Sequence, residues 1–218
     1  MDAFLSDVRL YGPGFALAAW TVFWLTILTI LVSWACGLTA ALAQRSRFPV
    51  VRGTARFYIW FVRGTPALIQ VFIVYFGLPA FGVRLSPFTA GVLALGINSG
   101  AYVAEIVRGG LSAIPRGQTE SALAMGFSPA ETMRGIILPQ VVRIILPSIT
   151  NEAISTLKNT SLLSTITVIE LTLYAQTLIA STFRPFDFYI AVALVYLALT
   201  TILSQFAAFL ERRYALAV

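Results

Sequence analysis

Three ionisable residues lie in stretches of the chain that are otherwise almost entirely apolar: Glu105, Glu152 and Lys158. If these stretches cross a membrane, each such side chain is costly to bury, faces the protein interior and is a candidate for function. Carboxylates accept hydrogen bonds from an ammonium group, and a lysine or a helix-end amide can meet a carboxylate. The chemistry that this combination favours is the binding of a zwitterion.

Each acid belongs to a polar stripe at helical spacing. One stripe comprises Asn98, Tyr102, Glu105 and Gly109, and the other comprises Ser148, Glu152, Ser155 and Asn159. Because these spacings put each set on one helical face, we expect two helices to line a common cavity. The predicted substrate-binding residues are Asn98, Tyr102, Glu105, Glu152, Ser155, Lys158 and Asn159.

A structural interpretation of the same residues stays open. Interhelical hydrogen bonds are common in membrane proteins, so Tyr102 and the hydroxyl groups could simply join helices. Glu105 is also close in sequence to Arg108, and a pair with Arg108 or Arg63 would leave it no role in binding.

Several other chemistries are excluded by composition. The chain has no histidine and one cysteine, Cys36, which rules out zinc sites, Ser/His/Asp triads and self-sufficient haem or iron–sulfur centres. It also lacks the GxxxxGK[ST] motif of ATP-hydrolysing proteins. We therefore predict neither catalytic nor metal-binding residues in this chain.

The composition is that of a membrane protein. Of 218 residues 58% are hydrophobic and only 11% are charged, whereas a soluble domain carries about 25% charged residues. The formal net charge of +6 is better explained by cytoplasmic loops that face anionic lipid than by nucleic acid.

The apolar segments that carry few charges predict an all-α protein with five transmembrane helices. A spanning helix needs about 20 mostly apolar residues. The predicted spans are about 15–43, 58–80, 87–109, 145–169 and 187–210. Arginine is concentrated in the loops that face the cytoplasm if the N-terminus is outside and the C-terminus inside, which is the orientation we predict.

The polar segment at about 112–143 is expected to form two short helices on the cytoplasmic side. Helix formers from Gln118 to Met125 precede Gly126, a favourable C-terminal stop. Ser128 and Glu131 then have the spacing of a capping box, so a second helix should begin at Pro129 and end near Leu138. We call this pair of helices, residues 118–138, the knob. The knob could dock into a groove of a partner protein. It could also be a hairpin that lies on lipid, since such a hairpin would have similar apolar residues.

Three further features carry predictions. The Gly64-Thr65-Pro66 segment after Arg63 should kink the second span, as a subunit contact or a gate hinge. The two glycines of Gly96–Gly100 fit GxxxG and indicate close helix packing. Glu170 and Asp187 flank the last outer loop, where they could contact a delivered binding protein.

Four motifs of this chain resemble those of the polar amino acid permease family of binding-protein-dependent ABC importers. Glu120-Ser121-Ala122-Leu123-Ala124-Met125-Gly126, followed by Ile137-Leu138-Pro139 and Pro147, is similar to the EAA loop. The other three motifs are Phe61-Val62-Arg63-Gly64-Thr65-Pro66, Ala101 to Gly110, and Lys158-Asn159-Thr160-Ser161-Leu162. Many relatives have aspartate where this chain has Asn159, which leaves the pairing of Lys158 undefined.

The resemblance implies one transmembrane permease domain, 1–218, with the fold of type I ABC importer permeases and cytoplasmic coupling helices. The coupling residues it implies are Glu120, Ser121, Ala122, Ala124, Gly126, Phe127 and Ser128. It implies two copies of an ABC ATPase subunit that bind ATP and Mg²⁺, with no cofactor in this chain. The other expected partners are a second permease, identical or similar, and a periplasmic or lipid-anchored amino acid binding protein.

The expected function is translocation of polar amino acids across the bacterial cytoplasmic (inner) membrane. Two acids in the predicted cavity favour a cationic or neutral polar substrate over an acidic one. An ion-coupled carrier or channel subunit is one alternative, which would explain the buried charges but not the knob. A non-transporting membrane scaffold is the other.

Overall fold

Helices form every regular element of the part of the chain that the structure describes. The structure is a computed structural model that describes residues 2–214, so both ends of the predicted 1–218 domain lie outside it. The helices are α1 (Asp2–Ala43), α2 (Pro49–Gly64), α3 (Ala67–Phe72), α4 (Pro87–Ala113), α5 (Arg116–Ala124), α6 (Pro129–Thr132), α7 (Leu138–Asn159), α8 (Leu171–Thr182) and α9 (Pro185–Tyr214).

Short turns of other helix types extend three of these helices. The segments Ile73–Gly77 (π) and Leu78–Phe81 (3₁₀) follow α3. A π turn, Met133–Ile137, joins α6 to α7, and a 3₁₀ segment, Thr160–Ile166, follows α7.

Four helical stretches are long and apolar enough to cross a membrane: Arg9–Ala43, Pro87–Ala113, Pro129–Ile166 and Pro185–Arg213. They match the first, third, fourth and fifth predicted spans. The second predicted span, about 58–80, is not a straight helix, because the axes of Pro49–Gly64 and Ala67–Phe81 differ by 112°. Pro66 causes the break, since it lacks an N–H and its ring clashes with the preceding turn. The prediction of a kink in this segment is confirmed.

The α1 and α4 helices pack side by side through glycines. A Cβ added at Gly96 would lie 2.5 Å from Val32, and one added at Gly100 would lie 2.7 Å from the Cβ of Cys36. Any larger residue at these positions would push the two helices apart. The close packing predicted from the Gly96–Gly100 spacing is therefore confirmed.

The second helix of the knob does not end near Leu138, as the sequence predicted. Leu138 N–H bonds to the carbonyl of Met133, five residues back, and the chain continues as α7. This wider turn makes room for the ring of Pro139, which would otherwise clash with a carbonyl of the preceding turn. The fourth span therefore lies within one helical stretch of 38 residues, Pro129–Ile166, that begins in the knob.

Candidate functional site

Glu152 links α7 to α4 through a serine that the sequence analysis did not select. The Ser99 hydroxyl donates to Glu152 Oε1 at 2.8 Å, and the Thr156 hydroxyl donates to Ser99 Oγ at 3.2 Å. Ser99 was missed because it lies about 100° around α4 from Asn98, outside the predicted stripe. Glu152 itself is only half-buried. Among the described residues its Oε2 has no hydrogen-bond donor, so this oxygen can accept a bond from a bound molecule.

Asn98 faces the break between α2 and α3 rather than α7. Its Nδ2 donates to Gln70 Oε1 at 3.1 Å, and both side chains are buried. The Gln70 Nε2 in turn donates to the carbonyl of Val62 at 2.8 Å and to the Thr65 hydroxyl at 2.7 Å.

This arrangement follows from Pro66. A helix that continued past Thr65 would bond the N–H of residue 66 to the carbonyl of Val62, but proline has no N–H. The Gln70 amide supplies the missing donor, because an unpaired carbonyl in an apolar environment costs several kcal/mol. Gln70 is therefore the residue that stabilises the broken helix, and Asn98 holds it in place. The sequence signal for Gln70 was a lone amide four residues after Pro66.

Glu105 forms both of the ion pairs that the sequence analysis considered. The Arg108 guanidinium donates to its two oxygens, at 2.9 and 2.8 Å. Arg63 Nη1 lies 3.5 Å from Glu105 Oε2, and the Arg63 guanidinium carbon stands 5.5 Å from the ring centre of Tyr102. Tyr102 and Glu105 therefore belong to a charged cluster that joins α2 to α4.

Lys158 also lies apart from Glu152. It is six positions after Glu152, about 120° away around α7. Its side chain is exposed and lines a groove of about 420 Å³ against α9, together with Thr200 and Gln205. Glu105 lines a different cleft, of about 480 Å³, which it shares with residues of α2.

The remaining polar residues of α7 form a face that this chain covers only in part. Ser155 and Asn159 lie within about 60° of Glu152, and both are half-buried. Ser148 and Asn151, on the same side of the helix, are exposed. The face therefore remains accessible to a second subunit or to a transported molecule.

The first helix of the knob and the turn after it have the local structure that the sequence predicted. Helix α5 covers Arg116–Ala124, close to the predicted 118–125, and Gly126 follows with φ +88°. The N–H groups of Gly126 and Phe127 bond to the carbonyls of Leu123 and Ala122 at 3.0 and 3.1 Å, which is the Schellman pattern of a glycine-terminated helix.

The predicted capping box is also present. Ser128 N–H donates to Glu131 Oε2 at 2.8 Å, and Glu131 N–H donates to Ser128 Oγ at 3.3 Å. The hydrogen bonds from the Ser128 side chain and backbone lower the pKa of Glu131 below its usual value. These bonds fix the angle between α5 and α6.

Apolar side chains of the knob are exposed. Met125 is 76% exposed, Leu123 45% and Phe127 42%. Of the implied coupling residues only Ala122 is buried, and the exposed ones are Glu120, Ser121, Ala124, Gly126, Phe127 and Ser128. A rigid, capped segment that exposes apolar side chains has the properties of a docking element.

A contact with an external protein would require Glu170 to lie on the surface, but this side chain is buried. It is 0% exposed, and it caps α8 by accepting hydrogen bonds from the N–H groups of Thr172 and Leu173, both at 2.9 Å. The Tyr196 hydroxyl donates to the same carboxylate at 2.8 Å. Glu170 therefore joins α8 to α9 and is not accessible for the contact with a binding protein that the sequence left possible. Helix α8 itself was not predicted.

Asp187, the second acid predicted at this loop, remains exposed but is paired. Arg184 Nε donates to Asp187 Oδ2 at 2.7 Å, and Arg184 Nη2 donates to Asp7 Oδ2 at 2.9 Å. These two ion pairs connect the beginning of α9 to the first part of α1.

The sequence profile of a family described as "Binding-protein-dependent transport system inner membrane component" matches residues 33–216. The chain is 42% identical over 192 residues to the glutamine transport system permease protein GlnP of Escherichia coli (strain K12), covering 87% of this chain and 88% of that protein. It is also 42% identical over 179 residues to the probable amino-acid ABC transporter permease protein YckA of Bacillus subtilis (strain 168), covering 82% and 79%.

Solved structures share this fold. A chain in the structure described as "Crystal structure of an amino acid ABC transporter with histidines" superposes with a TM-score of 0.90 at 40% identity, over 96% of this chain and 98% of that one. The MetNI methionine ABC transporter in an inward-facing conformation superposes with a TM-score of 0.74 at 17% identity, over 90% and 94%. The second match bears on the fold alone.

Proposed function

The chain belongs to the family of inner membrane components of binding-protein-dependent transport systems, and on that basis we propose how its residues act in an importer. It is the permease subunit of a binding-protein-dependent amino acid ABC importer of the inner membrane. Its finer properties, namely orientation, coupling to ATP, subunit composition and substrate contacts, are the subject of the proposal.

The observation that carries the proposal is the continuous helical stretch from the knob to Glu152. Pro129 and Glu152 lie on one stretch of 38 residues, Pro129–Ile166, and are about 35 Å apart along it at 1.5 Å per residue. Because this stretch is unbroken, even with Pro139 and Pro147 inside it, a displacement of the knob moves the α7 side of the contact between Glu152 and Ser99. Coupling by this route needs no rearrangement of side chains between the two ends.

The knob docks into an ATPase subunit on the cytoplasmic side. Its exposed Leu123, Met125 and Phe127 enter an apolar groove of that partner, while the Ser128–Glu131 box holds the two short helices at a fixed angle. Two copies of the ATPase bind ATP and Mg²⁺, and their closure drives the knob. The arginine-rich loops support a cytoplasmic knob and C-terminus, with the N-terminus outside.

A second permease, identical or similar, completes the assembly. The incompletely covered polar face of α7 supports this, because exposed serine and asparagine side chains cannot face lipid without cost. A periplasmic or lipid-anchored binding protein delivers the amino acid to the outer side of the pair.

The substrate contacts centre on Glu152. Its free Oε2 accepts a hydrogen bond from the α-ammonium group, or from a cationic or amide side chain, of the substrate. Ser155 and Asn159 lie on the same face and orient the molecule. Asn98, Tyr102 and Glu105 border the path, where they hold α2, α3 and α4 in position, and Lys158 contributes from the α9 side.

One experiment separates this function from its alternatives. The purified assembly, reconstituted in proteoliposomes with its binding protein, should take up an amino acid only when ATP is enclosed with the ATPase. An ion-coupled carrier or channel would transport without ATP, and a scaffold would not transport at all. Either result would overturn the proposal.

The docking role of the knob has its own test. Met125→Glu should abolish co-purification with the ATPase, because it places a charge in an apolar interface. Gln118→Glu is the matched control, since Gln118 is exposed and lies seven residues, about 10 Å along the helix axis, before Met125. If the two variants retained the ATPase equally, the knob would not be the docking element.

A further inference from the structure

Helix α2 lies across two other helices instead of running beside them. One face of α2 packs against both α1 and α4, in a cluster formed by Ala40, Ala41, Ile59, Val62, Ala101 and Ala104. Helix α1 ends at Ala43, so the crossing lies within one turn of that end. At the other end of α2 the chain bends by 112°, and α3 then packs against α4. Helix α2 therefore lies along one end of the helical assembly.

The opposite face of α2 combines exposed aromatic rings with arginines. Phe57, Trp60 and Phe61 are 61%, 71% and 41% exposed, and the ring centre of Phe57 lies 5.9 Å from that of Trp60 and 6.0 Å from that of Phe61. Arg56 and Arg63 flank these rings in sequence and are exposed. An amphipathic helix with basic and aromatic residues is typical of the boundary between headgroups and acyl chains.

A cleft beside this face has unused hydrogen-bond donors. It measures about 480 Å³ and is lined by Gln44, Arg56, Trp60, Arg63 and Glu105. Arg56 forms no ion pair with any residue in 2–214. Gln44 also lines the cleft, but its Nε2 is buried and its amide lies beside Glu105, so it offers no accessible donor.

The charge of the cleft favours an anion. Glu105 is the one acid on its lining, and two hydrogen bonds from Arg108 already hold that carboxylate. Arg63 is 3.5 Å from the same carboxylate and keeps free N–H groups. The guanidinium group of Arg56 and the free N–H groups of Arg63 are left to bind an acceptor.

We propose that this cleft binds the phosphate group of an anionic phospholipid of the inner leaflet. Arg56 and Arg63 donate to the phosphate, and the three aromatic rings of α2 contact the beginning of the acyl chains. The cleft opens beside exposed aromatic rings, which suit a lipid and would contribute nothing to free phosphate. The inference rests on the proposed function only for the placement of α2 at the inner membrane surface.

The test uses the full assembly and a single fluorescent reporter. Replacing Trp20, Trp24 and Trp34 by Phe leaves Trp60 as the one tryptophan in the chain. The assembly, with the tryptophans of all its partner subunits and of the binding protein also replaced, is reconstituted with brominated phosphatidylglycerol or brominated phosphatidylcholine as the quencher. We expect Trp60 to be quenched at a several-fold lower mole fraction of phosphatidylglycerol. Binding-protein-dependent uptake by the same sample shows that the assembly is intact.

The variants assign the preference to the cleft. Arg56→Gln should weaken the preference for phosphatidylglycerol by about fivefold, the contribution expected of one arginine near anionic lipid, and Arg56→Lys should retain most of it. Arg116→Gln is the matched control, because Arg116 is an exposed arginine at the start of α5. This variant should leave the preference for phosphatidylglycerol unchanged. Inorganic phosphate at 10 mM, on the order of ten times a weak binding constant, should not displace the lipid.

Three outcomes would overturn the inference without touching the proposed function, provided that uptake persists. Equal quenching by the two lipids would show that the phosphate charge is not recognised. Absence of quenching by either lipid would show that a protein covers this face of α2. Displacement by inorganic phosphate would show that the cleft binds the free anion.

Discussion

The knob and the contacts among α3, α4 and α7 are both built from polar side chains, but the partners of those side chains lie at very different distances in sequence. In the knob, Ser128 bonds to Glu131, three residues away. In the membrane-spanning part, Ser99 bonds to Glu152, 53 residues away, and Asn98 bonds to Gln70, 28 residues away. A local pair forms whenever its helix forms, whereas a distant pair exists only after the helices have packed. The knob is therefore a rigid unit in its own right, while the contacts of the spanning helices depend on the packed state of the whole chain.

The largest effect is expected at Glu152, which makes the distant contact with Ser99 and also belongs to the proposed substrate site. Glu152→Gln should lower uptake by about 30- to 160-fold, since a hydrogen bond to a charged group contributes about 2–3 kcal/mol. Co-purification with the ATPase should be unchanged, because the amide can still accept from Ser99. Uptake in proteoliposomes measures the first quantity and affinity purification the second.

Ser99→Ala is the companion variant for Glu152. It removes the contact between α4 and α7 but leaves the carboxylate, so uptake should fall less than in Glu152→Gln. Unchanged transport affinity in the Glu152 variant would remove Glu152 from the substrate site and leave it a purely structural role.

The second effect concerns the broken helix. Gln70→Leu should lower the free energy of unfolding by about 2–4 kcal/mol, because the carbonyl of Val62 and the amide of Asn98 both lose their partners. Thermal unfolding of the detergent-solubilised subunit measures this change. Asn98→Leu should cost less, since Gln70 would keep its bonds to Val62 and Thr65. If the two variants were equally stable, Gln70 would not be the residue that holds the break.

The third effect tests the local structure of the knob. Gly126→Ala should cost about 1 kcal/mol, because φ +88° is unfavourable for a residue with a Cβ. Gly117→Ala, within α5 and with open space around its Cα, is the control and should be neutral or slightly stabilising. Thermal stability of the ATPase complex should fall only in the first variant. If thermal stability fell in both variants, the complex would depend on the whole surface of α5 and not on the turn at Gly126 in particular.

The smallest effect is expected from pH at the capping box. Hydrogen bonds from Ser128 lower the folded-state pKa of Glu131. The box therefore contributes its full stability above the unfolded pKa of about 4.3 and loses it as pH falls through the lowered folded value. Amide exchange of residues 128–132 should be slower in the native chain than in Glu131→Gln at pH 6, and the difference should disappear in acid. A constant difference across this range would contradict the assignment.

The local predictions succeeded because they rest on interactions within one turn of the chain. The C-terminal stop at Gly126 and the box at Ser128 both depend on side chains and backbone groups no more than five residues apart. The end of the second helix at Pro139 was predicted by the same kind of reasoning and is wrong. A π turn before the proline removed the steric clash that would have ended the helix.

The predicted cavity shows the opposite pattern. Helical spacing correctly placed Asn98, Tyr102 and Glu105 on one face of α4, but spacing cannot say which helix that face meets. It meets α2 and α3, and the neighbouring Ser99 makes the contact with Glu152. Lys158 was grouped with Glu152 because they are close in sequence, yet a separation of six residues places them on different sides of α7.

By itself the sequence determined that this chain is an all-helical membrane protein, where its kink lies and how its knob is capped, because hydrophobic length, proline and capping act over a few residues. Only the tertiary structure decided that Gln70 replaces the donor that Pro66 lacks, that Glu170 is buried as a cap, and that α2 lies across α1 and α4. A polar side chain in an apolar environment must find a partner, but any donor or acceptor on an adjacent helix can serve. Which one serves is decided by how the helices pack.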